Sequence, residues 1–112
     1  MNEDQRSYKR IPIHLHVTGK LPDGTSFTGQ VSDMTPQGLA FIIESNIEIE
    51  EQFELEVHLG EGEKTCFRCQ VVRIESLAED TLEKVCAKII YAAPADNMRL
   101  YQFYKKMRER IP

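Results

Sequence analysis

Apolar and polar side chains alternate in short runs through most of this chain, and only its last segment changes period. Ile13, Leu15 and Val17 alternate with His14, His16 and Thr18, the two-residue period of a strand with one apolar face. Leu21-Pro22-Asp23-Gly24 reads as a tight turn, where proline presets φ and glycine accepts φ > 0. A second strand is expected over Thr25–Val31, with Phe27, Gly29 and Val31 on one side. A polar turn at Ser32–Gln37 then leads to a third strand, Leu39–Glu44, on which Leu39, Phe41 and Ile43 share a face. Phe53, Leu55, Val57 and Leu59 alternate with Glu54, Glu56 and His58, the cleanest two-residue period present. Gly60-Glu61-Gly62 folds that fourth strand back onto a fifth, roughly Lys64–Glu75. A sixth, Leu82–Ile90, follows the acidic turn Leu77–Thr81.

After Pro94, which can start a helix but not continue one, Leu100, Phe103, Tyr104, Met107 and Ile111 recur at intervals of three and four. Arg99, Lys105, Lys106, Arg108 and Arg110 fill the opposite face. This predicts an amphipathic helix over about residues 94–111, laid across the barrel, with its basic last turn matched to the helix dipole. Six short strands followed by one helix make a mainly β protein. An antiparallel six-stranded barrel is the expected architecture, because closure removes exposed strand edges. The length of 112 residues fits one domain. Residues 1–12 read as a flexible N-terminal arm and residues 13–112 as the barrel with its helix.

Charge narrows the possible partners. Fourteen Lys and Arg against eighteen Asp and Glu leave a net charge of −4, the wrong sign for coating DNA, RNA or an anionic membrane. From Glu44 to Glu63 there are eight glutamates and no lysine or arginine, whereas the arm carries Arg6, Lys9 and Arg10. No apolar run is long enough to span a bilayer, and the polar start MNEDQRSYKR lacks a secretory core. A cytoplasmic protein without membrane insertion is expected. Three cysteines, an odd number, read as free thiols in a reducing compartment.

Two short patterns carry candidate chemistry. Arg6-Ser7-Tyr8-Lys9-Arg10 is an RxxxR spacing directly before the first strand, and Asp33-Met34-Thr35-Pro36-Gln37-Gly38 is a DxTxxG segment between the second and third. Arginine's planar fork donates paired hydrogen bonds to phosphate oxygens or to O6 and N7 of guanine, and it stacks on purines. A carboxylate such as Asp33 accepts only, which complements the donor edge of guanine. Thr35 donates or accepts at short range, and Gly38 lets backbone approach a ligand closely. Together these groups suit a flat, anionic, guanine-bearing ligand better than a sugar, a metal or a protein tail.

On these residues the chain resembles the PilZ domain family: RxxxR before the first strand, D/NxSxxG after the second, then the rest of a six-stranded barrel and a terminal helix. The resemblance runs from about Gln5 to the final helix. It implies a split-barrel fold and a bacterial receptor for the second messenger cyclic di-GMP, with roles in motility or biofilm control, no catalytic activity and no cofactor. By position, Arg6 and Arg10 hold guanine and phosphate, while Asp33, Thr35 and Gly38 hold the base and its sugar-phosphate edge. The expected mechanism is an ordering of Gln5–Ile11 on the ligand, read by an unidentified protein partner. The alternative is a PilZ-like adaptor that binds no nucleotide and works by protein contacts alone. Thr35 stands where the family has serine, adding a methyl that stiffens χ1. Gln5 replaces an arginine that many members carry, which favours one ligand per chain over a stacked pair. Gln37 replaces a glycine, and the sixth strand, Val85–Ile90, lacks the glycine common there.

Other signals read as structural. Cys66 and Cys69 are three apart on a strand and so face opposite ways, which does not suit a shared zinc, and the helix start of a redox CxxC is missing. His14 and His16 share a face and read as surface residues. Arg73, on the fifth strand, reads as an exposed strand arginine, with a place near a bound base as the alternative. A small nucleic-acid-binding barrel would need aromatics on an exposed basic strand face, whereas the strand aromatics here fall mostly on the core side.

Overall fold

A computed structural model describes residues 9–44, 49, 51–77 and 81–110. Six strands, β1 (Ile11–Lys20), β2 (Ser26–Thr35), β3 (Gly38–Glu44), β4 (Gln52–Gly60), β5 (Glu63–Ser76) and β6 (Leu82–Tyr91), precede one helix, α1 (Pro94–Arg110). All pairings are antiparallel, and the strands close in the order β1-β2-β3-β6-β5-β4 back to β1. The expected barrel and helix are present. Ile111, assigned to the helix's apolar face by its spacing, lies outside the described residues.

Alternation fills the interior as the pattern requires. Phe53, Leu55, Val57 and Leu59 are buried, and so are Leu39, Phe41 and Ile43. Phe27, Phe41 and Phe53 meet pairwise with ring centroids 5.8–6.0 Å apart, Phe27 and Phe41 stacked and Phe53 edge-on to both. Such aromatic pairs add about 0.5–1.5 kcal/mol each beyond their buried area. Tight turns set the register. The Asp23 carboxylate accepts the Thr25 backbone N–H at 2.8 Å, a contact that holds its pKa below the ordinary value. Gly60, Glu61 and Gly62 all take positive φ (100°, 55° and 80°), a path glycine follows without steric cost.

Two boundaries differ from the periodicity reading. β1 begins at Ile11 rather than Ile13, because Ile11 is buried and pairs with Met34 while Pro12 pairs with Asp33. The expected turn at Ser32–Gln37 is mostly strand: β2 runs to Thr35, and Pro36 and Gln37 alone form the turn. Bulges explain both. Register shifts fall between Pro12 and Leu15 on β1 and between Val31 and Asp33 on β2. An inserted residue in a ladder breaks the two-residue alternation. Val31 and Met34 are therefore both buried although three apart.

The helix is fastened at two points. Leu100 and Tyr104 enter the core, and the Tyr104 hydroxyl donates to the Lys9 carbonyl at the foot of the arm. In the first turn, the Asp96 carboxylate accepts the Cys66 backbone N–H at 3.0 Å and Arg99 Nη1 at 3.1 Å. The hydroxyl of Thr65, a fully buried residue, lies 3.0 Å from the Asp96 carbonyl oxygen. No described helix is long and apolar enough to cross a membrane.

Asp96→Ala removes two charge-assisted contacts and a favourable charge at the helix start. A loss of about 1–2 kcal/mol in denaturant unfolding is expected, and an unchanged midpoint would show that α1 docks without this anchor.

Candidate functional site

β1, β2 and β3 meet at one rim of the barrel. Pro12 pairs with Asp33 and Asp33 with Ala40, so Arg10, just before β1, emerges beside Asp33. Arg10 Nη1 donates to Asp33 Oδ1 at 2.6 Å. The Ser32 hydroxyl is 3.3 Å from Asp33 Oδ2, and Lys84 Nζ of β6 is 3.7 Å from the same oxygen. The Asp33 side chain is 16% exposed and that of Arg10 46%. An ion pair with one partner this open is worth about 0–1 kcal/mol. Arg10 is held in place without being locked.

The turn after Asp33 is stiffened from within. The Gln37 backbone N–H donates to Thr35 Oγ1 at 3.0 Å, a local hydroxyl-to-backbone bond of the kind that favours turns, and the hydroxyl keeps its own proton for donation. The Ile89 N–H donates to the Gln37 carbonyl at 2.9 Å, tying the turn to β6. Glycine at position 38 has a different reason from the one its place in the pattern implies. A Cβ there would stand 2.6 Å from the Ala87 carbonyl oxygen and 3.2 Å from the Lys88 Cα. Close approach of β3 to β6 demands it, whatever else lies in front.

Beside the turn opens a cavity of about 250 Å³ lined by Arg10, Thr35, Gln37 and Gly38 together with Val72, Cys86 and Lys88. Of the residues expected at the site, Arg10, Thr35 and Gly38 line this cavity, and Asp33 stands next to it through Arg10. Arg6 and Gln5 lie outside the described residues. The part of the lining that β5 and β6 supply escaped the sequence reading. Val72 is the extra residue of a bulge where Val71 pairs with Ala87 and Arg73 with Cys86, and it is 65% exposed. The doublet Val71-Val72, which interrupts alternation in β5, was the available signal. Arg73 pairs with Glu75 at 2.5 Å and approaches Cys86 Sγ at 3.9 Å.

The cysteines behave as strand residues. Cys66 is exposed and Cys69 buried, on opposite faces as their spacing requires. Burial pushes the Cys69 thiol up to about 12 and also raises that of Cys66, reinforced by Glu56 and Asp96 nearby. Both stay protonated at neutral pH, so neither is an activated thiolate. His14 and His16 are exposed, and the His16 ring lies 5.1 Å from that of His58. Among the described residues, no three His, Cys, Asp or Glu side chains are grouped to hold a metal.

The site as a whole is a closed six-stranded barrel with a C-terminal helix and an arginine facing an acidic strand end at its rim. The PilZ domain pattern matches residues 4–100, and the chain belongs to the PilZ domain family. No curated protein matches the sequence. Among solved structures, the chain is similar to the Bacillus subtilis inhibitor of motility MotI/DgrA (16% identity, TM-score 0.80), over 96% of this chain and 53% of that one. It is similar to the PilZ domain of Escherichia coli YcgR with c-di-GMP (16% identity, TM-score 0.73), over 95% and 93% of the two chains. The longer YcgR structure in complex with c-di-GMP matches at 19% identity and TM-score 0.76, over 95% of this chain and 47% of that one. This chain thus spans about half the length of MotI/DgrA and of the longer YcgR.

Gly38→Ala forces backbone apart at the β3–β6 seam. Thermal or denaturant unfolding should register a loss of about 1–3 kcal/mol, the usual cost of overpacking. A melting curve that overlays the wild type would contradict the close approach described for this position.

Proposed function

We propose that this chain is a cyclic di-GMP receptor whose ligand engages Arg10 and the Asp33–Gly38 segment. The observation that carries the reading is the convergence of Arg10, Thr35 and Gly38 on one cavity with Asp33 alongside. The donor set suits the ligand: a guanidinium for phosphate or the guanine Hoogsteen edge, and a carboxylate for guanine N1–H and amine. At about 250 Å³ the cavity is smaller than most small-molecule sites, which span roughly 300–1,000 Å³. It accommodates one base, with the rest of the dinucleotide lying over the rim. Two solved structures of one protein of the same fold, Escherichia coli YcgR, hold c-di-GMP, which supports the assignment of ligand class.

Binding replaces the weak Arg10–Asp33 contact with stronger charge-assisted bonds to the ligand. By position Arg6 joins Arg10, as the RxxxR spacing implies. The segment that reorders ends at Arg10, not at Ile11 as the sequence reading had it, because Ile11 is a core residue. We assign no catalytic role, and output passes to a protein partner. Gln37 supports such a route: it lines the ligand cavity and also a neighbouring groove that includes the exposed Met98 and Tyr101 of α1. The cytoplasm is the compartment in which this ligand would be met.

Calorimetric titration tests the proposal. Saturable binding is expected for cyclic di-GMP and not for GTP or cyclic di-AMP. Arg10→Ala should weaken it at least ~30-fold, as expected for about 2 kcal/mol from a charged hydrogen-bonded pair. Affinity of R10A within twofold of the wild type would remove Arg10 from the site.

A further inference from the structure

One cation at this rim has no role in the account so far. β6 turns Lys84, Cys86 and Lys88 outward in alternation with the buried Val85 and Ala87. Most of the charged groups around the cavity are already engaged: Arg10 and Lys84 with Asp33, Arg73 with Glu75. Lys88 is exposed, lines the cavity beside Arg10 and Thr35, and has no carboxylate partner among the described residues. Its backbone is fixed where a ligand would pass, since it pairs with Gly38, and Ile89 next to it holds the Gln37 carbonyl.

The balance of charge gives this lysine a purpose. Arg10, Lys84 and Lys88 against Asp33 leave the described rim with a surplus of two positive charges. A cyclic dinucleotide carries two phosphodiester groups, each with one negative charge. When Arg10 turns to the ligand, Asp33 loses its nearest cation, and Lys84 at 3.7 Å remains to neutralise it. With Arg6 and Arg10 shared between guanine and phosphate, as the RxxxR spacing implies, Lys88 is a further cation free to take a phosphate. An ammonium on a flexible stem suits this task, because phosphate accepts a point charge from many directions.

We propose that Lys88 is a phosphate-binding residue of the ligand site, with Lys84 as the residue that balances Asp33 once Arg10 is drawn away; this rests on the receptor reading above. The test titrates cyclic di-GMP into wild type, Lys88→Gln and Lys88→Arg at about 0.1 M and about 0.5 M salt. The Debye length falls from about 10 Å to roughly 4 Å over that range, so long-range attraction fades while a direct contact persists. K88Q is expected to bind at least ~10-fold more weakly at both salts, a factor typical of one lost charged contact, and K88R to stay close to the wild type. In the wild type, the Lys88 side-chain methylene signals should move as ligand saturates, a readout that needs no substitution. A K88Q deficit that vanishes at high salt, or no deficit at all while the wild type binds, overturns the role of Lys88 and leaves the receptor reading intact. No binding by the wild type overturns both.

Discussion

The ion pair between Arg10 and Asp33 depends on strand register, and so does the account of the rim. Arg10 has no helix or turn to aim it; it is placed because β1 starts beside the end of β2, with Pro12 opposite Asp33. A slip of one residue would turn Asp33 toward the core and carry Arg10 away. The bulges on β1, β2 and β5 are the devices that set this register, and that on β5 leaves Val72 exposed beside the cavity. Bulges recur beside functional sites because they re-aim a side chain without breaking the sheet. The barrel behind them supplies rigidity: each strand has two partners, and three aromatic rings lock its interior.

A rim held this way has a definite resting state. Arg10 is held on Asp33 through a contact of small net energy, and so is readily displaced. Tyr104 of α1 meanwhile ties the Lys9 carbonyl, so the residue next to Arg10 is coupled to the helix. Rearrangement at the arm therefore bears on α1, and rearrangement of the turn bears on β6 through Gln37 and Ile89. These are two contiguous physical links between the rim and the outer surface. Neither needs a large conformational change.

Much of the fold was legible because its logic is local. Phe53 to Leu59 alternate without interruption, Pro22-Asp23-Gly24 and Gly60-Glu61-Gly62 announce their turns, and Leu100 and Tyr104 share a helical face. What escaped was where alternation is broken on purpose. Ser32-Asp33 reads as turn because both are polar, yet a bulge keeps them in β2. Val71-Val72 reads as ordinary strand, yet the second valine stands out of the ladder. The candidate site residues Arg10, Asp33, Thr35 and Gly38 stand out in the sequence by residue chemistry and family pattern. Asp96, the anchor of α1, and Lys88, which lines the cavity, do not stand out, since a helix's first-turn acid and a strand lysine look like solvated charges until their neighbours across the sheet are known. A second constraint on Gly38 stayed hidden in the same way: it comes from β6, about fifty residues further along the chain.

The most direct measurement is an amide-shift titration of the labelled protein with cyclic di-GMP. The account predicts saturable, specific shifts concentrated on Arg10 and the Asp33–Gly38 segment, with the amides of β4 and the far hairpin at Glu61 unmoved. Saturation with shifts centred elsewhere on the barrel, or equal shifts with GTP, would contradict it.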